Sequence, residues 1–216
     1  MRYIIFLLCM WPTMTLADPP RVLAIGDSIL AWHKWTGRDI PSVFGAALGA
    51  EVENDAVVGA RFSNTSTLGR AAGFDVRTRL RNGPWDIVLI NGGANDLLSD
   101  CSCNACASVL DGLITADLTG EVPTFLAEVL ARDVDVIWMG YYASSRSGPF
   151  TGCRPYLVDY DARLARLAAA TPRLTFLDSE VVIDSDQRGL FAFDGLHPSP
   201  KGARRIGTYL AQSVSD

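Results

Sequence analysis

Residues 21–28 read Arg-Val-Leu-Ala-Ile-Gly-Asp-Ser, and the rest of the chain is organised around this stretch. Arg21–Ile25 is apolar, partly β-branched and followed by a glycine, which predicts a short buried strand that ends in a sharp turn. Ser28 follows that turn directly. Open α/β sheets bind their ligands beyond the carboxyl ends of the strands, so a serine at this position is a candidate nucleophile.

The chain after Ser28 alternates predicted strands with predicted helices. Four further apolar runs predict strands, at residues 51–58, 85–90, 134–139 and 174–177. Helical periodicity and helix-starting prolines predict helices at residues 41–48, 74–80, 121–131 and 157–170, and from Pro200 after the capping residue Ser199. No repeat or internal linker interrupts the pattern. It predicts a single α/β domain with a five-stranded, mostly parallel sheet.

Length and composition are those of one globular domain. The chain has 216 residues, of which 49% are hydrophobic and 20% charged, which is enough to bury a sizeable core and argues against disorder. The formal net charge is −5. This acidic balance argues against nucleic acid or an anionic membrane as the partner.

Residues 1–17 have the pattern of a secretory signal peptide. Met1-Arg2 is a short positive start, the apolar run that follows is too short to span a bilayer, and Thr15-Leu16-Ala17 offers the small residues of a cleavage site. The alternative is an uncleaved anchor. We expect cleavage after Ala17, one domain at 18–216 without stable membrane insertion, and a secreted or periplasmic location.

The expected mature chain keeps four cysteines: Cys101, Cys103, Cys106 and Cys153. In an oxidising compartment an even number predicts two disulfides, for which three connectivities are possible. The alternative is a four-cysteine zinc site, for which Cys103-x-x-Cys106 provides one ligand pair. Such a site needs a second, separate pair, and Cys153 stands alone, so we favour disulfides.

The two histidines of the chain are His33 and His197, and His197 lies three residues after Asp194. A carboxylate this close can bind one ring nitrogen, and the other nitrogen can then take a proton from a serine. The alternative is a histidine at a helix entry with a local capping partner. His33 is expected to be exposed, and Trp32 and Trp35 to pack a helix on the sheet or to border a substrate pocket.

A serine that attacks an ester also needs N–H groups about 3 Å from the developing oxyanion. The candidates are the N–H of Ser28, the N–H of Gly59 and the side-chain amide of Asn95. Gly59 could instead serve only turn geometry, and Asn95 could be a capping amide. Both follow predicted strands, as do Ser28 and the loop of His197, and parallel strands bring such positions to one edge of the sheet.

Four short motifs resemble those of the SGNH hydrolases, also called the GDSL esterase/lipase family. They are Gly26-Asp27-Ser28, Gly59, Gly93-Ala94-Asn95-Asp96 and Asp194-Gly195-Leu196-His197, in the order that the family requires. The resemblance implies a three-layer, flavodoxin-like α/β/α fold. It also implies Ser28 as nucleophile, His197 as base, Asp194 as its orienting acid, and Ser28 N–H, Gly59 N–H and Asn95 as the oxyanion hole. There is no Gly-x-Ser-x-Gly motif, which argues against the α/β-hydrolase fold.

The function expected from these residues is that of an exported serine ester hydrolase that works through an acyl-enzyme, with no metal or organic cofactor. The family resemblance allows short acyl or acetyl esters, lipids and acetylated glycans as substrates. The alternatives are an acyltransferase that uses a sugar acceptor and a non-catalytic binding domain. Loops after the third and fourth strands should be neighbours, so we expect Cys153 to pair with Cys101, Cys103 or Cys106.

Overall fold

The computed structural model describes residues 18–215. The predicted signal peptide, residues 1–17, lies outside the described residues. No helix within residues 18–215 has the length and apolar character needed to cross a bilayer.

Five strands form one parallel sheet in the order β2-β1-β3-β4-β5. Their bounds are β1 Arg21–Ile25, β2 Glu51–Asn54, β3 Ile87–Ile90, β4 Asp135–Met139 and β5 Leu174–Leu177. The apolar run of β1 lies at the centre, where Val22 pairs with Val52 on one side and with Ile87 on the other. The predicted fold class is therefore confirmed, and the sheet is parallel throughout.

The second strand is shorter than predicted because the chain turns away at Asn54. The side chain of Asn54 accepts a hydrogen bond from the N–H of Ala56 at 3.0 Å and donates one to the carbonyl of Leu30 at 2.8 Å. An asparagine that bonds its own backbone two residues on replaces a strand ladder by a turn. Residues 55–58 are therefore the start of a loop and not part of the strand.

Eight α-helices connect and flank the strands within residues 18–215. They are α1 Ser28–Ala31, α2 Ile40–Leu48, α3 Thr67–Ala71, α4 Ala94–Cys101, α5 Ala107–Leu113, α6 Glu121–Leu130, α7 Arg154–Ala169 and α8 Pro200–Ser215. The stretch predicted as a helix at 74–80 is a short 3-10 helix, Val76–Arg79. Helix α7 starts before the predicted residue 157, with Pro155 in its first turn, a position that proline favours.

The helices cover both faces of the sheet. Helices α2 and α8 pack against each other, while α5 contacts α4, α6 and α7. Beyond their first residues, the three central strands β1, β3 and β4 are apolar, and their side chains are almost inaccessible to solvent. In this three-layer arrangement the loops at the carboxyl ends of the strands lie along one edge of the sheet, where α/β sheets bind their ligands.

All four expected cysteines are paired. Cys101 pairs with Cys106, and Cys103 pairs with Cys153. The expected bridge from Cys153 to the 101–106 cluster is therefore present, and it joins the end of α4 to the start of α7. Because all four sulfur atoms are used in these bridges, the alternative of a four-cysteine zinc site is wrong.

Candidate active site

Ser28 is the first residue of α1, three residues beyond the end of β1. The turn between them passes so close to the start of the next loop that a Cβ on Gly26 would lie 2.0 Å from the side-chain oxygen of Asn91. Only glycine fits this position. Asp27 caps α1 by accepting a hydrogen bond from the N–H of Ile29 at 2.9 Å. The Gly-Asp-Ser sequence thus starts a helix with the serine at its tip.

A buried network holds Asp27 from below. Its carboxylate also accepts hydrogen bonds from the amide of Asn91 at 2.9 Å and from the hydroxyl of Tyr141 at 2.5 Å. The Tyr141 hydroxyl in turn accepts a bond from the N–H of Ala94 at 3.2 Å. Burial raises the pKa of Tyr141 well above its usual value, and the charge of Asp27 adds to that effect, so the phenol stays protonated and donates. The network ties β1, β3 and β4 together under the serine.

Ser28, His197 and Asp194 form a continuous chain of hydrogen bonds. The Nε2 atom of His197 lies 2.8 Å from Oγ of Ser28, and its Nδ1 atom lies 2.6 Å from Oδ2 of Asp194. The other carboxylate oxygen of Asp194 accepts bonds from the N–H groups of Leu196 and His197, each at 3.0 Å. The structure therefore brings Ser28 to a histidine 169 positions further along the chain, in a geometry suited to proton transfer from the serine.

Two opposing effects set the pKa of Asp194. Partial burial alone would raise it, but the hydrogen bonds from the His197 ring and from the two N–H groups prevail and lower it below its usual value. The carboxylate is therefore charged wherever the histidine acts as a base. A charged partner at Nδ1 orients the ring and stabilises the imidazolium that forms when Nε2 takes a proton.

The two tryptophans near Ser28 behave differently from each other. Trp32 stacks on His197, whereas Trp35 is 92% exposed and packs no helix on the sheet. The expected packing role is therefore wrong for Trp35. His33, expected to be exposed, is half-buried, and its Nε2 atom has no hydrogen-bond partner within residues 18–215.

Two of the candidate oxyanion donors, Ser28 and Asn95, line the same cavity, and Asn95 is bonded to Ala60, the residue after the third candidate Gly59. The N–H groups of Ser28 and Gly59 have no hydrogen-bond acceptor within the described part of the chain. Asn95 lies in the first turn of α4, and its amide donates one hydrogen bond to the carbonyl of Ala60 at 2.9 Å. An amide nitrogen carries two hydrogens, so one remains for a ligand. The same bond holds Asn95 against the turn that contains Gly59.

Asp96 fixes the start of α4. Its buried carboxylate accepts hydrogen bonds from the N–H of Phe62 at 3.0 Å and from the N–H and hydroxyl of Ser63 at 2.8 and 2.7 Å. Burial raises the pKa of Asp96, and these hydrogen bonds oppose that rise. The carboxylate ties the loop after β2 to the helix that carries Asn95.

A cavity of about 350 Å³ opens beside Ser28 and Asn95. Its walls come mainly from the loop after β4 and the first turn of α7, including Tyr142, residues 143–147, Phe150 and Arg154. The same loop holds the histidine loop in place. Ser145 donates two hydrogen bonds to the carbonyl of Gly195, from its N–H at 2.8 Å and from its hydroxyl at 3.2 Å. Tyr142 donates one to the carbonyl of Leu196 at 3.1 Å.

The sequence prediction did not include the network residues Asn91 and Tyr141 or the loop after β4. A signal for Tyr141 exists, since it directly follows β4 and Gly140 just as Asp27 directly follows β1 and Gly26. The loop at 143–147 carries no recognisable motif. Within residues 18–215 no group of three or more histidine, cysteine or acidic side chains is arranged to hold a metal ion.

Comparison with known proteins supports the resemblance of the four motifs to those of the SGNH hydrolases. A family described as "GDSL-like Lipase/Acylhydrolase family" matches residues 24–205. The comparison with curated proteins returned no significant match.

Solved structures resemble the whole domain. A member of the lipolytic protein G-D-S-L family from Veillonella parvula is 17% identical, with a TM-score of 0.63 over 90% of this chain and 97% of that one. The lipase Lip_vut3 from a goat rumen metagenome is 15% identical, with a TM-score of 0.60 over 90% and 96%. A GDSL-like lipase from Bacteroides thetaiotaomicron is 16% identical, with a TM-score of 0.59 over 93% and 92%. At these identities the likeness establishes the fold.

Proposed function

Because the chain belongs to the GDSL-like lipase/acylhydrolase family, and so is an acylhydrolase of the SGNH type, we propose that it is an exported serine esterase for short acyl or acetyl esters. The observation that carries the proposal is the hydrogen-bonded series Ser28–His197–Asp194, with Nε2 of the histidine 2.8 Å from the serine hydroxyl.

The first half of the reaction acylates Ser28. His197 takes the hydroxyl proton as Oγ attacks the ester carbonyl, and the charged Asp194 stabilises the imidazolium. In this mechanism the oxyanion receives hydrogen bonds from the N–H of Ser28, the N–H of Gly59 and the free hydrogen of the Asn95 amide. When the tetrahedral species collapses, His197 returns the proton to the alcohol that leaves.

The second half releases the acyl group. Water takes the place of the alcohol, His197 takes one of its protons, and attack on the acyl carbonyl passes through the same oxyanion site. Collapse then frees the carboxylic acid and restores the Ser28 hydroxyl. The chain's own residues perform each of these proton transfers.

Two independent features support export. Residues 1–17 have the signal-peptide pattern, and all four cysteines outside that segment form disulfides, which persist in oxidising compartments. The cavity volume of about 350 Å³ favours a small acyl or alcohol group over a long chain.

The test is hydrolysis of p-nitrophenyl esters of increasing chain length by the exported protein and by Ser28→Ala. We expect highest kcat/KM with acetate or butyrate and loss of turnover in the variant. Full activity of Ser28→Ala would contradict the assigned nucleophile, and a maximum at long chains would contradict the substrate range. Mass spectrometry of the exported protein tests the cleavage site, with Asp18 expected as the first residue.

A further inference from the structure

Two arginines border the cavity beside Ser28 and have no part in the proton transfers of ester hydrolysis. They are Arg146, in the loop after β4, and Arg154, the first residue of α7. Ser28 and Asn95 line the same cavity. An ester that reacts at Ser28 therefore places its acyl or its alcohol part in this cavity.

Arg146 is a positioned cation without an acidic partner. Its stem lies over Gly195, where an added Cβ would come within 2.8 to 2.9 Å of three carbons of the arginine side chain. One guanidinium nitrogen donates to the carbonyl of Phe193 at 3.2 Å. No carboxylate within residues 18–215 forms an ion pair with it. The side chain is thus held in place while most of its donors remain available.

Only one of the two terminal nitrogens of the Arg154 guanidinium has a partner within residues 18–215. Its Nη2 atom forms an ion pair with Glu180, but its Nη1 atom is buried and has no hydrogen-bond partner in the described part of the chain. A buried donor without an acceptor is destabilising, so a turn of the guanidinium that brings this N–H to a ligand oxygen is favourable. The neighbouring Cys103–Cys153 bridge fixes the backbone from which this side chain extends.

Within residues 18–215, neither acidic residue of the cavity wall forms an ion pair with Arg146 or Arg154. Asp27 is buried, and its carboxylate oxygens already accept hydrogen bonds from Ile29, Asn91 and Tyr141. Asp186 also lines the cavity and, like Arg146, is exposed to solvent, and within residues 18–215 it forms no ion pair with either arginine.

We propose that this cavity binds an anionic group of the substrate, so that the preferred esters carry a carboxylate or a phosphate on the part that enters it. The guanidinium groups of Arg146 and Arg154 are the recognition elements, since arginine binds both kinds of oxyanion with paired N–H donors. This inference rests on the proposed esterase function, because it assigns the substrate class of the same site.

The test compares esters that differ only in the anionic group. Ethyl hexanoate is paired with monoethyl adipate, which ends in a carboxylate on the acyl side. Ethyl butyrate is paired with 2-phosphoethyl butyrate, which carries a phosphate on the alcohol side. We expect the exported protein to prefer at least one anionic ester by about tenfold in kcat/KM, mainly through KM, as for a charged hydrogen bond. The preference should fall as salt is added.

The variants ask whether the two arginines cause the preference. Arg146→Met keeps an unbranched stem over Gly195 and removes the charge. Arg154→Gln combined with Glu180→Gln avoids an unpaired carboxylate, and Glu180→Gln alone is its control. We expect the ratio of kcat/KM for the anionic ester to kcat/KM for the neutral ester to fall towards one in Arg146→Met and in the double variant. Arg204→Met removes an equal charge from the exposed face of α8 and should leave the ratio unchanged.

Each result decides the matter. Ratios are taken within one protein, so partial misfolding of a variant cancels, and the salt dependence of the native protein needs no variant. If each neutral ester were cleaved with the same kcat/KM as its anionic partner, the anionic subsite would be overturned and the esterase function would stand. A preference that survives both arginine changes would overturn the residue assignment. Absence of cleavage of all four esters would overturn the esterase function and this inference with it.

Discussion

The indole ring of Trp32 lies flat against the imidazole ring of His197, with centroids 3.8 Å apart and planes within 5° of each other. His197 becomes positively charged each time it takes the serine proton, and the face of an indole attracts a cation. Trp32 therefore both restricts the rotation of the base and stabilises the state in which it is protonated.

Replacing Trp32 by alanine should lower kcat for p-nitrophenyl acetate by about tenfold. The reason is that losing a cation–π contact shielded from water raises the activation barrier by an energy that corresponds to about this factor in rate. Trp32→Phe keeps an aromatic face and should lose less. Trp35→Ala removes an indole that is 92% exposed and serves as the matched control, with kcat unchanged. If Trp32→Ala were as active as the native enzyme, the stack would have no catalytic importance.

Loss of the Asn95 amide should reduce kcat by about 100-fold or more, because an oxyanion donor acts mainly in the transition state. Asn95→Ala is the test, and steady-state kinetics should show a KM close to the native value. Asn82→Ala removes an exposed amide that does not line the cavity and controls for the substitution itself. A rise in KM with kcat retained would indicate that Asn95 binds substrate instead.

The lowered pKa of Asp194 predicts a pH-dependent contribution to stability. A carboxyl group whose pKa is lower in the folded than in the unfolded state stabilises the fold above its unfolded pKa of about 4. That contribution is lost as the pH falls through the folded pKa. The free energy of unfolding of native protein should therefore exceed that of Asp194→Asn at pH 5, where the carboxyl group is charged.

The difference should shrink as the pH is lowered towards 3. Urea unfolding of both proteins at each pH measures it. A difference that stays constant down to pH 3 would contradict the assigned direction of the pKa shift.

Tyr141→Phe should reduce the free energy of unfolding by about 1 to 3 kcal/mol, because it leaves an oxygen of the buried Asp27 carboxylate without its donor. It should also reduce kcat, since Asp27 caps the helix that presents Ser28. Tyr209→Phe is the control, because no hydrogen bond of the Tyr209 hydroxyl is found within residues 18–215. Equal stability of the two variants would show that the network contributes little.

The two disulfides should differ in their contribution to stability. The Cys103–Cys153 bridge spans 50 residues and the Cys101–Cys106 bridge spans 5. From the entropy of loop closure, the first should contribute about 4 kcal/mol and the second about 2 kcal/mol. Urea unfolding of the two paired Cys→Ala variants measures both losses. The opposite order would mean that strain or residual structure in the unfolded state outweighs loop length.

Local sequence signals were sufficient for the strand β5, the glycine that ends α2 and the start of α8. Each depends on periodicity, a capping residue or a helix-starting proline within a few positions. The end of β2 was missed because Asn54 bonds to Leu30 and Ala56, and only one of those partners is near in sequence.

By itself, the sequence determined the alternation of strands and helices and the positions of Ser28, Gly59, Asn95, Asp194 and His197 at strand ends or in the loops that follow. These follow from short-range pattern and from the rule that parallel strands share one carboxyl edge. Only the tertiary structure decided which cysteines pair, that Tyr141 supports Asp27, that Trp32 stacks on His197 and that two arginines face one cavity. The reason is that each of these depends on loops that are distant in sequence and meet only when the sheet has formed.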